Sequence, residues 1–254
     1  MAGIAPLGQR LLDVLFPPRC VGCGAGGAVL CRACRATVRP VTPPLCARCG
    51  EPLVETARVS SVICAACASG GFPAALAGIR VAAHYDGPLR KAIQALKFNG
   101  QRRLAEPLGD LLVDALRHAG WPLEVLVPVP LHPTRVRERG YNQATLLARR
   151  CGARVGASVR EDALIRGRAT TAQTRLSAAE RRTNLVGAFA LAGRGAADLA
   201  GKHITLVDDV TTTGSTLAAA AEALAALHPA AVWGLAVARP DLRHGGDDAS
   251  GRGR

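Results

Sequence analysis

Aromatic side chains are scarce in this 254-residue chain: four Phe, two Tyr and two Trp amount to 3% of it. That excludes a broad aromatic recognition surface. Hydrophobic residues nevertheless make up 49% of the chain, most of them Ala, Val and Leu, a composition that favours an α/β protein with small-residue packing. Long apolar runs are also missing. No stretch approaches the roughly 18 consecutive apolar residues of a membrane-crossing helix. The opening segment Met1-Ala2-Gly3-Ile4-Ala5-Pro6-Leu7-Gly8-Gln9-Arg10 lacks the basic and apolar regions of a secretory signal, which points to an intracellular, cytoplasmic protein. Leu7, Leu11, Leu12, Leu15 and Phe16 recur at helical spacing. They predict a short amphipathic helix that ends at Pro17-Pro18 and packs on the protein's own body.

Negative charge is in short supply too, leaving a formal net charge of +13. The excess is concentrated between Arg135 and Arg182, where twelve Arg face four acidic residues for a net +8. Such a stretch suits a polyanion, either pyrophosphate or nucleic acid, but it is equally compatible with a solvated arginine-rich face.

Cysteine, by contrast, is plentiful and regularly spaced. Eight of the nine fall into four Cys-x-x-Cys pairs: Cys20/Cys23, Cys31/Cys34, Cys46/Cys49 and Cys64/Cys67. Two thiolates on one tight knuckle can face one metal, and two knuckles complete a closed tetrahedral zinc site. A disulfide framework or a redox pair accounts less well for four such pairs in a chain without a secretion signal. The knuckles Cys20–Gly24 and Cys46–Gly50 each end in Gly, which supplies the positive φ that turns backbone amides toward sulfur. Their order suggests two sequential four-cysteine ribbons, although interleaved pairing remains open at this level. With eight thiolates and two Zn²⁺ the formal +4 of residues 1–72 is cancelled, so this module is not a basic patch. Rich in Pro and short, it must draw much of its folding free energy from the metal. Cys151 follows an apolar helical stretch and reads as a small core residue.

From Gly78 onward strands and helices alternate. Strands are predicted at Gly78–Ala83, Val125–Val129, Ile204–Val207 and Val232–Val237. Helices are predicted at Leu89–Phe98, Leu104–His118, Gln143–Cys151 and Ser215–Leu227. This alternation implies a parallel sheet with helices on both faces and ligand binding beyond the carboxyl ends of the strands. One strand end stands out. The apolar run Ile204-Thr205-Leu206-Val207 is followed by two acids, Asp208 and Asp209, then by Val210-Thr211-Thr212-Thr213-Gly214-Ser215-Thr216 and a helix. Small hydroxylated residues around a Gly, at a helix N-terminus, suit a phosphate. Two acids just before such a cradle make sense for a ligand that presents ribose hydroxyls or a cation one sugar ring away from its phosphate.

This segment resembles the phosphoribosyl pyrophosphate (PRPP) motif of type I phosphoribosyltransferases. By that resemblance Asp208 and Asp209 contact the ribose 2′- and 3′-hydroxyls, and Thr211, Thr212, Thr213, Gly214, Ser215 and Thr216 hold the 5′-phosphate. The segment Val127-Pro128-Val129-Pro130, leading through residues 131–140 to Tyr141-Asn142-Gln143, resembles the pyrophosphate loop of the amidophosphoribosyltransferase branch. It makes Arg135, Arg137 and Arg139 candidates for the pyrophosphate. Residues 168–184, with Arg168, Gln173 and Arg175, resemble that branch's flexible loop, which closes over PRPP and excludes water. Arg168 and Arg175 are therefore candidate catalytic residues beside the acid pair; Glu180 and His132 are the candidate bases.

With the ribbons in front, the chain is similar to the ComF family over about residues 12–240. The resemblance implies a type I phosphoribosyltransferase-like parallel sheet flanked by helices and preceded by a small double zinc ribbon. The expected boundaries are 1–72 for the helix and ribbons, 73–240 for the transferase-like domain and 241–254 for a disordered tail. It also implies two structural zinc ions, Mg²⁺ with PRPP, and links to single-stranded DNA and the competence machinery. Zinc ribbons stand where a glutamine amidotransferase carries its N-terminal cysteine nucleophile, so glutamine-driven chemistry is not expected.

Overall fold

A computed structural model describes residues 17–53, 62–167, 185 and 187–241. The expectations for the helix over residues 7–16, for Arg168, Gln173, Arg175 and Glu180, and for the tail beyond residue 241 lie outside the described residues.

The first elements are two short helices, α1 (Arg32–Ala36) and α2 (Ala65–Ala68), each starting directly after the third cysteine of its quartet. Then follow β1 (Gly78–His84), α3 (Gly87–Phe98), α4 (Ala105–Ala119), β2 (Val125–Pro128), α5 (Pro133–Arg139), α6 (Gln143–Val155) and β3 (Ser158–Val159). The chain continues with β4 (Leu164–Arg166), β5 (Phe189–Leu191), β6 (His203–Val210), α7 (Ser215–Leu224) and β7 (Ala231–Arg239). Five strands form one sheet in the order β1-β7-β6-β2-β3, and every neighbouring pair is parallel. The strands are apolar on both sides because both faces are covered. Leu89, Ile93 and Leu96 of α3, Leu108 and Leu112 of α4 and Leu147 of α6 pack one face with Leu126, Val207 and Leu235. Leu217, Ala220 and Leu224 of α7 pack the other with Ile79, Ile204 and Leu206.

Four departures from the sequence reading bear on function. β6 does not stop at Val207 but runs through both acids to Val210, so the acid pair is held in regular strand. Residues 133–139 form a helix where a loop was expected: Pro133 occupies the first turn, His132 Nδ1 caps it by accepting from the Thr134 amide, and Gly140 closes it in the left-handed region. α6 continues past Cys151 to Val155 until Gly156 ends it. The antiparallel pair β4–β5 was not anticipated, because three-residue strands carry too little periodicity to read.

The ribbons dock on the free edge of β1. Pro40 bridges Ala83 antiparallel, the Val41 amide donates to Ala82 O at 3.0 Å and the His84 amide to Arg39 O at 2.9 Å. The Ile79 amide donates to Arg48 O at 2.6 Å. Gly50 is needed here on two counts: its φ is +68°, and a Cβ would lie 2.5 Å from Ile79 O. Cys46, Cys67 and Phe72 belong to the same buried cluster as Ile79 and Val81, so the second ribbon shares a core with the sheet.

Two cysteine clusters and a candidate ligand cleft

The cysteines gather in sequence order, Cys20, Cys23, Cys31 and Cys34 in one cluster and Cys46, Cys49, Cys64 and Cys67 in the other, with the sulfurs of each within 4.8 Å of one another. Sequential pairing is thereby selected over interleaving. The Cys23–Cys31 and Cys49–Cys64 sulfurs are 3.7 and 3.6 Å apart, the edge length of a tetrahedron with roughly 2.3 Å Zn–S bonds. The two sites share one wiring: the amide of the third cysteine donates to the sulfur of the first, Cys31 to Cys20 and Cys64 to Cys46, both at 3.3 Å. Burial pushes the Cys20 and Cys46 thiols up, but backbone amides more than offset it and bring each down to about 6. Four thiol donors with one member poised as thiolate fit a structural Zn²⁺, and leave no position for a metal-bound water.

The second site opens at the carboxyl ends of β6 and β2, a cleft of about 530 Å³. Its floor is the acid pair. Successive residues of a strand point to opposite faces, and the surroundings differ accordingly. Asp209 pairs with Lys97 of α3, Nζ to Oδ1 at 2.8 Å, and its buried Oδ2 has no hydrogen-bond partner among the described residues. Asp208 accepts from the Asp209 amide at 2.8 Å. Burial first, and then the neighbouring Asp209, push Asp208 up from 3.8 to about 7, against the pull of Lys97 and Arg166.

Beyond the acids the chain turns into the phosphate segment. Gly214 caps α7 with φ +78°, and a Cβ there would sit 2.6 Å from Ile79 Cδ1. Only Gly fits, and the helix N-terminus is left facing the cleft side of the sheet. Thr213 and Ser215 join hydroxyls at 2.6 Å, and Thr216 lines the cleft. Thr211 is buried, its amide donating to Ala238 O at 3.0 Å, whereas Thr212 is exposed.

α5 forms the facing wall. Arg135 and Arg139 line the cleft with His132, Thr134 and Glu138; Arg137 does not, its guanidinium donating instead to Thr134 Oγ1. Arg139 donates to Gln143 and lies 5.3 Å from the Phe98 ring centroid. The corner after α5 is clamped by α3 and the turn that follows it. Tyr141 donates its hydroxyl to Leu96 O, and Arg102 packs 4.6 Å from the Tyr141 ring while donating to Gly140 O at 2.9 Å. Asn142 caps α6 through the Ala144 amide at 3.0 Å and ties the corner to Val129 O at 2.9 Å.

The structure thus brings Asp208, Asp209, Thr216, Arg135 and Arg139 to one cleft, and leaves Arg137 outside it. It adds Lys97 and Arg166, which sequence reasoning missed. Lys97 carried a readable signal: it follows Leu89 and Ile93 at helical spacing, so it continues the buried stripe of α3 as a charged residue. Arg166, on a three-residue strand outside every motif, carried none.

Comparison with known proteins agrees with both halves. Residues 11–68 match the double zinc ribbon domain and residues 139–243 the phosphoribosyl transferase domain. The DNA utilization protein YhgH of Escherichia coli K12 is 35% identical over 200 residues, 77% of this chain and 83% of its own length. Competence protein F of Haemophilus influenzae is 33% identical over 232 residues, 87% of this chain and 97% of its own.

Proposed function

The chain belongs to the ComF family, with a double zinc ribbon ahead of a phosphoribosyl transferase domain, and we propose that its cleft binds PRPP with Mg²⁺. The observation that carries this reading is the floor of the cleft, where two carboxylates in regular strand lead directly into the Gly214 cap of α7, across from Arg135 and Arg139. A simple phosphate would be repelled by the acids. A ribose carrying phosphate at one end and pyrophosphate at the other satisfies acids, helix cap and arginines together.

In this reading the open Oδ2 of Asp209 accepts a ribose hydroxyl and Asp208 takes its neighbour. The amides and hydroxyls of residues 211–216 hold the 5′-phosphate, and Arg135 and Arg139 hold the pyrophosphate. The hard carboxylate oxygens also suit Mg²⁺ or its bound water, and the cation's contribution is to neutralise pyrophosphate charge. For transfer, an acceptor nucleophile would bond to C1 as the C1–pyrophosphate bond breaks and pyrophosphate leaves, with the acid pair facing the positive charge that develops on the ribose. Arg168 and Arg175 then act from the segment joining β4 to β5. The thiolate-rich ribbons, residues 1–72, serve as a structural module suited to a reducing cytoplasm. Among the described residues no helix is long and apolar enough to cross a membrane.

The relatives' names, DNA utilization and competence, favour a second reading in which single-stranded DNA is gripped through the Arg135–Arg182 stretch. One titration separates the two. PRPP that raises the melting temperature more than ribose 5-phosphate, and only with Mg²⁺, supports the cleft reading. Steeply salt-dependent retention of an oligonucleotide with no response to PRPP supports the DNA reading and defeats the first.

A further inference from the structure

Lysine is the rarest basic residue of the chain, three against 29 Arg, and one of the three stands inside the cleft. Lys97 comes from the last turn of α3, an element that belongs to neither the acid-pair segment nor the arginine segment. Its side chain is 21% exposed and that of Asp209 4%. A buried ion pair is a poor device for stability alone, since desolvation takes back most of the attraction. This pair is also incomplete. An ammonium has three donors, and the Asp209 contact uses one; among the described residues the carboxylate Oδ2 has no partner. The next residue, Phe98, carries the Arg139 guanidinium over its ring, so the end of α3 touches both the acid pair and the arginine helix.

In a phosphoribosyl ligand the 2-hydroxyl and the anionic group at C1 are on adjacent ring carbons. A hydroxyl accepted by Asp209 Oδ2 brings the C1 substituent toward the ammonium that already holds Oδ1. We propose that Lys97 is a ligand-binding residue joining the two halves of the site: anchored on Asp209, its ammonium donates to an oxygen of the anionic group at C1. The proposal rests on the reading that this cleft takes a phosphoribosyl ligand. It makes the diol contact and the pyrophosphate contact one coupled unit rather than two independent ones.

The test compares wild type with Lys97→Met by calorimetric titration with Mg²⁺–PRPP and with ribose 5-phosphate, which has no anionic group at C1. Both ligands weaken in the variant because Asp209 loses its partner. The ratio of PRPP to ribose 5-phosphate affinity should fall a further 10-fold or more, on the order expected for one charge-assisted hydrogen bond. An unchanged ratio overturns the role of Lys97 and leaves the cleft reading standing. Wild type that binds neither ligand overturns both. A second measurement needs no variant of Lys97. With three lysines in the chain, its ammonium ¹⁵N resonance can be assigned from Lys91 and Lys202 variants. PRPP should displace that resonance more than ribose 5-phosphate does, and equal displacement overturns the proposal.

Discussion

Replacing Asp208 by Asn should stabilise the ligand-free protein, and do so increasingly as pH rises. Burial, and then Asp209 close by, lift the Asp208 carboxyl from 3.8 to about 7. Its folded-state value is therefore above its unfolded value, and the folded protein holds a proton that the unfolded chain has released. The resulting contribution to stability is complete below about pH 4 and is lost as pH rises through 7. At about 1.4 kcal/mol per unit, some three units come to about 4 kcal/mol lost by pH 8, roughly half of it between pH 5.5 and 8. Asn has the shape of the protonated acid and cannot ionise. The stability of Asp208→Asn relative to the parent should accordingly grow by about 2 kcal/mol between pH 5.5 and pH 8. Urea unfolding of zinc-loaded protein at the two pH values measures this directly. The reporter is built in, since Trp121 and Trp233 stack at 4.5 Å against the main sheet. Taking the difference between variant and parent cancels any pH dependence of the zinc sites. A difference that is flat with pH, or a variant less stable than the parent at pH 8, would refute the assignment of a strained, proton-holding Asp208. The same substitution should weaken PRPP, so stability and binding should move in opposite directions.

Metal analysis of reduced protein should find two Zn²⁺ per chain. Chelation should lower the urea midpoint of the tryptophan-reported transition as well as unfold the ribbons, because Cys46 and Cys67 share a core with the sheet. Arg135→Ala should weaken PRPP by roughly 10-fold or more, while Arg137→Ala, outside the cleft, should leave it within about 2-fold; equal effects in titration would remove α5 from the pyrophosphate site. Gly214→Ala forces a side chain into φ +78° and against Ile79, which should destabilise the protein by about 1–3 kcal/mol and abolish stabilisation by ribose 5-phosphate in a melting assay.

What the sequence revealed tracks the range of the interactions involved. The cysteine pairs, the acid pair and the Gly214 turn are local signals in which the neighbours that do the chemistry are neighbours in the chain. The main strands and helices were legible for the same reason, through apolar runs and helical periodicity. The pairing of the cysteine quartets, the different surroundings of the two buried acids Asp208 and Asp209, and the arrival of Lys97 and Arg166 at the cleft are settled by packing between distant segments. α5 was hidden differently. Its seven residues show no apolar stripe, and its formation depends on the His132 and Pro133 start and the Gly140 stop. These are end signals without a periodic body between them.

The docking of the ribbons along β1 has a bearing on how the protein fares in a cell. An outermost strand with unpaired amides and carbonyls invites pairing with another chain. Here that strand is sheathed by backbone from residues 39–41 and 48, and the sheath keeps its shape only while its thiolates are gathered. Under zinc starvation, or when the thiols are oxidised, the exposed margin would become adhesive, and copies would cling to one another edge to edge. The zinc supply would then govern solubility as much as folding.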